Sequence, residues 1–372
     1  MNTENRPHKL AIWIVTPNGA KLAGKLYENL KDVDLYVSKN SIKTAFVHIE
    51  FEGLAETLKP KFHQYSGHIF IMSTGIVVRV IAPLIKHKTE DPAVVVVDDG
   101  GNYAISLLSG HLGGANELTR RVADIIGADP VITTATDVHQ VPAIDVLAKE
   151  KSLFIENPGC IKTVNMALLK GDPIYIHDPF NFIKGYLPNC AVRDFRELKQ
   201  SAKDMQQTVE NIMIPGVFID DVRLDLPPRV LALRPASLVA GIGCNRNTGA
   251  EEIKALLKDV LAANHLVSSS LKCLASIDVK ADEGGLIALA DHLDLPLFFF
   301  TRQELNRVKT IKNPSPVVEK HVGVKSVCEA AAILAARNGA LIVPKQTTRN
   351  ATVAIARIDF SSSASDRAVP SI

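Results

Sequence analysis

The stretch AVVVVDDGG at residues 93–101 decides the architecture of the first third of the chain. Its unbroken valines leave no polar alternate face, as expected of a parallel strand covered on both sides. Asp98-Asp99-Gly100-Gly101 then reads as a turn by composition. Upstream, the apolar run 68–72 passes through Ser73-Thr74-Gly75 into a helical pattern over 76–85. The same grammar opens the chain: run 10–15, a Pro17-Asn18-Gly19 turn, then 20–30 with Leu22, Leu26 and Leu30 at helical spacing. Downstream, 105–108 is a strand candidate, 115–126 a helix, and 130–133 begins a further strand. Elements alternating in this way predict a doubly wound α/β layer.

Between 141 and 235 the pattern weakens. Pro158-Gly159, Gly171-Asp172-Pro173, Pro215-Gly216 and Pro227-Pro228 interrupt it, and its strands look short. The proline pair, followed by Pro235, reads as a stiff exit into the next domain. The α/β pattern restarts with strand 238–242, loop 243–249 and a helix over 251–263. Strands follow at 274–279 and 297–300, then an alanine-rich helix over 326–338 and a closing strand pair at 340–343 and 352–357. The expected architecture is therefore two doubly wound α/β domains, 1–140 and 236–360, joined by a smaller, irregular middle α/β region, 141–235. A serine-rich tail, 361–372, is expected to fray.

At 372 residues the chain is long enough for two or three domains. With 42 Lys+Arg against 40 Asp+Glu, bulk charge offers nothing to attract nucleic acid, and aromatics at 5% make a base-stacking platform a poor reading. Cys160, Cys190, Cys244, Cys273 and Cys328 are scattered, without a C-x-x-C pair, as in a reduced cytosolic chain. No stretch approaches the ~20 apolar residues of a membrane span, and the run 10–15 is too short for a signal peptide. A soluble, cytoplasmic protein is expected.

The densest chemistry stands in Ser109-Gly110-His111-Leu112-Gly113-Gly114-Ala115-Asn116, between a strand and a helix. Glycines let a ligand approach the backbone, free N–H groups at a helix start receive an oxyanion, and His111 suits proton transfer near neutrality. The bland alternative is a tight turn with an incidental histidine. Ser73-Thr74-Gly75 reads as a cap or as a ligand loop. Arg79, placed in the first turn of its helix, opposes the helix dipole and so favours an anion-binding reading. Thr133, Thr134, Thr136 and Asp137 stand beyond a strand end, the usual rim for ligands in α/β sheets.

Gly241-Ile242-Gly243-Cys244-Asn245-Arg246 starts like a dinucleotide fingerprint, but Arg246 occupies the place of the third glycine, which rejects a nicotinamide or flavin site. Arg246 can grip a carboxylate; Cys244, with no evident base, reads better as a packed side chain. Lys280 and Glu283 are either an acid/base pair or exposed loop charges. No P-loop, H-E-x-x-H or metal-spaced histidine pattern appears; His63 and His68 are off the one-turn spacing.

Taken together, STGIVVRVIAP (73–83), DPAVVVVD (91–98), ISLLSGHLGGAN (105–116) and ADPVITTATD (128–137) resemble the cobalt-precorrin-5A hydrolase family of anaerobic cobalamin biosynthesis. GIGC (241–244), Lys280 with EGGL (283–286), and VGVKSV (322–327) extend the resemblance to the C-terminal part, in the same order. The double glycine after Asp98-Asp99 departs from the family, which commonly has one.

The resemblance implies a cobalt-containing tetrapyrrole whose ring-A acetate is closed as a lactone onto C20. Water opens the lactone and C20 leaves with its methyl group as acetaldehyde, giving cobalt-precorrin-5B. The cobalt belongs to the substrate, so no cofactor or protein metal site is implied. On this reading His111 handles the water and backbone amides near Gly113 and Gly114 bind the oxyanion. Asp98 or Asp137 orients His111, with Glu283 as the reserve acid/base. Arg79, Lys88, Arg246 and Lys280 meet the peripheral carboxylates. Thr74, Gly75, Ser109, Gly110, Asn116, Thr133, Thr134, Thr136, Gly241, Gly243 and Cys244 complete the expected substrate surface. A cleft between two α/β domains would suit so large a ligand. Neighbouring pathway enzymes are expected as transient partners, nucleic acid and membrane are not. A non-catalytic tetrapyrrole carrier is the alternative.

Overall fold

A computed structural model describes residues 9–39, 45–87, 90–139, 141–187, 192–194 and 214–360. The chain divides into two compact units, Met1–Leu147 and Ala148–Ile372.

The first unit is built on seven strands: β1 (Leu10–Ile14), β2 (Val33–Ser38), β3 (Ile49–Phe51), β4 (Gly67–Ile71), β5 (Ala93–Val97), β6 (Tyr103–Leu108) and β7 (Asp129–Val131), in the order β3-β2-β1-β4-β5-β6-β7. Helices α1 (Pro17–Asn29), α2 (Leu54–Leu58), α3 (Thr74–Ile81), α4 (Ala115–Ile126) and α5 (Ala135–Val138) belong to it, and α6 (Ile144–Glu150) begins in it. The valine run explains both faces at once. Val95 and Val97 join Leu26 of α1 and Val122 of α4 in one core; Val94 and Val96 join Val77 of α3, Leu58 of α2 and Trp13 in the other. Trp13 stacks on Tyr36 at 4.0 Å and donates from Nε1 to His68 Nδ1 at 3.1 Å. His68 Nε2 then carries the hydrogen to Phe62 O at 2.9 Å. Burial pushes the His68 imidazole down to about 4, so it stays a neutral core group.

The turn after the valines has a consequence that composition does not reveal. Asp98 Oδ1 accepts Tyr103 N–H at 2.6 Å, and Oδ2 accepts Gly100 N–H and Asn102 Nδ2 at 3.1 Å each. Gly101 adopts φ +69°. So short a link cannot make a parallel crossover, and β6 returns antiparallel to β5, with Val97 opposite Ala104 and Val94 opposite Leu108. β7 follows β6 in parallel. The loops leaving β6 and β7 therefore emerge at the opposite edge of the sheet from those leaving β1, β4 and β5.

In the second unit, β8 (Leu153–Ile155), β9 (Ile174–His177), β10 (Val192–Asp194), β11 (Gly216–Ile219) and β12 (Val230–Pro235) form one sheet, β10-β9-β11-β12-β8, parallel except for β8. The weakly patterned middle region is thus a short-stranded sheet covered by α7 (Ile161–Lys170). Pro227-Pro228 leads into β12 rather than out of the sheet: Val230 N–H bonds Pro227 O at 3.0 Å. The exit is the tight turn after Pro235, where Ser237 N–H bonds Pro235 O at 2.9 Å.

The next sheet contains β13 (Leu238–Cys244), β14 (Leu271–Ile277), β15 (Leu297–Phe300), β16 (Ala340–Thr347) and β17 (Ala351–Arg357), ordered β15-β14-β13-β17-β16. Helices α8 (Ala250–Ala263) and α9 (Gly284–Leu293) pack on one face. Helix α12 (Val327–Ala335), after the short α10 (Arg302–Asn306) and α11 (Pro316–Val322), packs on the other. Two buried carboxylates tie this unit together. Glu329 accepts the amides of Lys312, Asn313 and Lys345 at 2.7–3.0 Å. Burial would raise its carboxyl, but these donors outweigh that and hold it below the usual range. Asp221 takes both Arg357 Nε and Nη2, at 2.8 and 2.6 Å, and Ser237 Oγ at 2.6 Å. Among the described residues no helix is long and apolar enough to cross a membrane.

Candidate functional site

Where β6 ends, the backbone folds back on itself before α4. Ser109 takes φ +59° and Gly114 φ +86°. Ala115 N–H bonds Ser109 O at 3.1 Å, Asn116 N–H bonds Gly110 O at 3.0 Å, and Gly114 N–H bonds His111 O at 2.9 Å. Gly113 is required sterically: a Cβ there would lie 2.3 Å from Ser109 Cβ and 2.8 Å from Ser109 O. This compact corner turns His111 toward the segment after β7.

Buried Asn116 joins the two loops. Its Oδ1 accepts Ser106 Oγ at 2.7 Å, and its Nδ2 donates to Thr134 Oγ1 and Asp137 Oδ2, both at 2.9 Å. Thr134 Oγ1 donates to Asp137 Oδ2 at 2.6 Å, and Arg120 donates to the other oxygen. Burial alone would raise the Asp137 carboxyl; Thr134, Arg120 and His111 overcome it and hold the group below its ordinary range. The imidazole of His111 stands between two carboxylates. Nε2 is 3.2 Å from Asp137 Oδ2 and 3.0 Å from Thr136 Oγ1; Nδ1 is 3.4 Å from Asp145 Oδ2. Its pKa is raised, chiefly through Asp145, against the opposing effect of burial. With 18% of its side chain exposed, the ring is held rigidly yet still reached by solvent.

Strand β13 and the corner after it are organised differently. A Cβ on Gly241 would meet Cys328 O at 1.9 Å and Ala332 N at 2.7 Å, so this glycine lets α12 lie directly on the strand. A Cβ on Gly243 would meet Thr352 Oγ1 at 2.7 Å. Arg246 is paired with Asp282 at 2.5 Å and Val279 O at 2.8 Å. Glu283, 3% exposed, accepts Asn247 N–H at 2.6 Å and Lys280 Nζ at 3.3 Å. Cys244 is half-buried, and burial raises its thiol, with no general base bonded to it. These groups satisfy one another. Among the described residues, no three His, Cys, Asp or Glu side chains converge as a metal site.

Three family models match in chain order: cobalamin synthesis G N-terminal over residues 56–137, cobalamin biosynthesis central region over 142–235, and cobalamin synthesis G C-terminus over 238–356. Cobalt-precorrin-5A hydrolase of Salmonella typhimurium is 37% identical over 335 residues, covering 90% of this chain and 93% of that protein. The chain belongs to the cobalt-precorrin-5A hydrolase family. The hydrolase of the same name from Priestia megaterium is 33% identical, over 94% of this chain and 95% of its own length. Among solved structures, cobalamin biosynthesis protein chiG from Agrobacterium tumefaciens is 35% identical, covering 32% of this chain and 96% of that one with a TM-score of 0.26.

Of the residues singled out in sequence, His111, Asn116, Thr134, Thr136 and Asp137 meet through side-chain bonds, with Ser109, Gly110, Gly113 and Gly114 shaping the corner. Thr133 is exposed beside them. Asp98 does not orient His111, because its carboxylate is taken by the β5–β6 turn. Thr74 and Gly75 lie beyond β4, at the other edge, about 15 Å away along a five-residue strand rising ~3.3 Å per residue. Arg79 falls in the last turn of α3, not the first, because the helix begins at Thr74 and breaks near Pro83. There a cation agrees with the dipole, which removes the argument for an anion. Lys88 lies outside the described residues, as do Cys190 and the tail 361–372.

Three participants escaped the sequence reading: Ser106, Arg120 and Asp145. Arg120 stands four residues after Asn116, so helical spacing would have placed it on the same face. Asp145 carries no such signal; an acidic residue in a first helical turn reads as ordinary dipole chemistry.

Proposed function

We propose that this hydrolase of cobalamin biosynthesis performs its chemistry at the His111 corner, opening the ring-A acetate/C20 lactone of cobalt-precorrin-5A. Acetaldehyde and cobalt-precorrin-5B are the products. The carrying observation is a half-buried imidazole gripped between Asp137 and Asp145, at a glycine corner where a substrate can approach the backbone. A lactone is an activated acyl group, so its opening needs a placed water, a base and donors for the oxyanion.

His111 takes the water proton as oxygen adds to the lactone carbonyl. The Asp137 carboxylate, already anchored by Thr134, Asn116 and Arg120, receives the charge that appears on the ring. Of the two glycine amides expected to bind the oxyanion, that of Gly114 is committed to His111 O. The Gly113 amide is the one assigned to the developing oxyanion. Collapse of the tetrahedral intermediate breaks the acyl C–O bond, frees the acetate and leaves a hydroxyl on C20. As that hydroxyl loses its proton and becomes a carbonyl, the bond from C20 to the macrocycle breaks and the ring keeps the electron pair. C20 then departs with its methyl group as acetaldehyde. Lys86, whose amide bonds Asp91 on this same edge, and Lys88 are assigned to the peripheral carboxylates. Cobalt enters and leaves as part of the substrate. A cytoplasmic location and transient contact with neighbouring pathway enzymes belong to the same proposal, the first supported by the free thiols of Cys160, Cys244, Cys273 and Cys328 among the described residues.

The test is acetaldehyde release by His111→Ala on purified substrate. General-base catalysis contributes about 10²–10⁴-fold, so a loss of at least a hundredfold is expected. A loss below tenfold overturns the assignment, and stoichiometric binding by the native chain without turnover would make it a carrier instead.

A further inference from the structure

We infer that Asp145 is the positioning residue that makes Nε2 the working nitrogen of His111. This rests on the reading of His111 as the base. Asp145 is 5% exposed, stands in the first turn of α6, and presents Oδ2 to Nδ1 at 3.4 Å. A carboxylate only accepts, so it calls for a hydrogen on Nδ1. In the neutral ring that leaves the lone pair on Nε2, facing the Thr136 hydroxyl at 3.0 Å, which can donate to it, and Asp137 Oδ2 at 3.2 Å, which accepts once Nε2 is protonated. Once Nε2 gains a proton from water, the ring donates at both ends, to Asp145 and to Asp137. Both charges are in place before the proton moves, so the site stabilises the imidazolium without rearranging.

The two carboxylates are not equivalent. Asp137 is restrained by Thr134, Asn116 and Arg120, on the side where water must arrive. Asp145 lies on the far side of the ring and acts only through it. Among the described residues, the titratable and charged groups facing His111 are Asp145 from α6 and Asp137 from α5, with Arg120 of α4 behind Asp137. Asp145 contributes most to the raised pKa of His111, so removing its charge should let the ring lose its proton at lower pH.

The experiment follows acetaldehyde release by the native enzyme, Asp145→Asn, Asp145→Glu and His111→Ala across pH 5–9. Asp145→Asn should lose roughly 10- to 10³-fold in kcat while its acid limb moves about one pH unit lower. Asp145→Glu should recover part of the rate. If His111→Ala is inactive but Asp145→Asn keeps kcat and acid limb within threefold and a few tenths of a pH unit, Asp145 has no such role. If His111→Ala stays active, the underlying reading fails instead. Because a buried carboxylate variant can fail to fold, the tautomer of His111 is also read in the native protein by ¹⁵N–¹H correlation above its pKa. A hydrogen on Nδ1 is expected; a hydrogen on Nε2 overturns the inference.

Discussion

The end of β6 and strand β13 with the corner beyond it both carry glycines ahead of the following helix, and they put glycine to different uses. After β6, Gly110 and Gly113 let the chain double back so that His111, Asn116 and Asp137 converge with the ring still reached by solvent. Within β13, Gly241 admits the backbone of α12, and in the corner beyond the strand the charges of Arg246, Lys280, Asp282 and Glu283 neutralise one another. A glycine run therefore marks close approach, and only its neighbours say whether the approaching partner is a ligand or another helix.

Three substitutions sharpen that contrast. The largest effect on stability is expected for Gly241→Ala, whose Cβ would fall 1.9 Å from Cys328 O. Overpacking of this kind costs about 3 kcal/mol or more where backbone must yield, against a change within ~1 kcal/mol for Gly284→Ala, which meets nothing within 4 Å. Chemical denaturation of both variants measures the difference, and equal midpoints would remove the packing explanation. Next, Glu283→Gln keeps an acceptor for Asn247 N–H but loses the ion pairs to Lys280 and Arg246. It should lower stability by roughly 1–3 kcal/mol and leave turnover within tenfold; normal stability with abolished turnover would move the chemistry to this corner.

The smallest effect is a pH dependence. The folded pKa of His111 is raised, so its stabilising contribution is complete below the unfolded value near ~6.5 and fades as pH climbs through the folded value. The folded pKa of Asp137 is depressed, so its contribution holds above about 4 and fades in acid as pH falls through the folded value. Melting curves of the native chain and His111→Ala should differ by under ~1 kcal/mol, most between about pH 4 and 6.5. Turnover should run the other way on the alkaline side, rising as His111 becomes neutral. A stability difference that grows above pH 7 would contradict this sign.

Much of the fold was legible because burial on both sheet faces leaves a plain trace, as in the valines of β5. Helix α4 and strand β15 carry the bounds expected of them, 115–126 and 297–300. The reversal at Asp98 was not legible, since turn residues announce a turn without saying where the chain returns. That one turn separates Thr74 and Gly75 from His111, two motifs that looked like walls of one site. Within the site, His111 with Asp137 was visible through its glycine and threonine surroundings. Asp145 was not, because its importance comes from meeting a ring more than thirty residues earlier in the chain.

The central claim, that the reacting bond meets the corner after β6 and not the one after β13, is tested most directly by single-turnover acetaldehyde release. His111→Ala and Glu283→Gln are compared at saturating substrate. A hundredfold or greater deficit for His111→Ala, with Glu283→Gln within tenfold of the native enzyme, is the predicted result. The reverse order would contradict it.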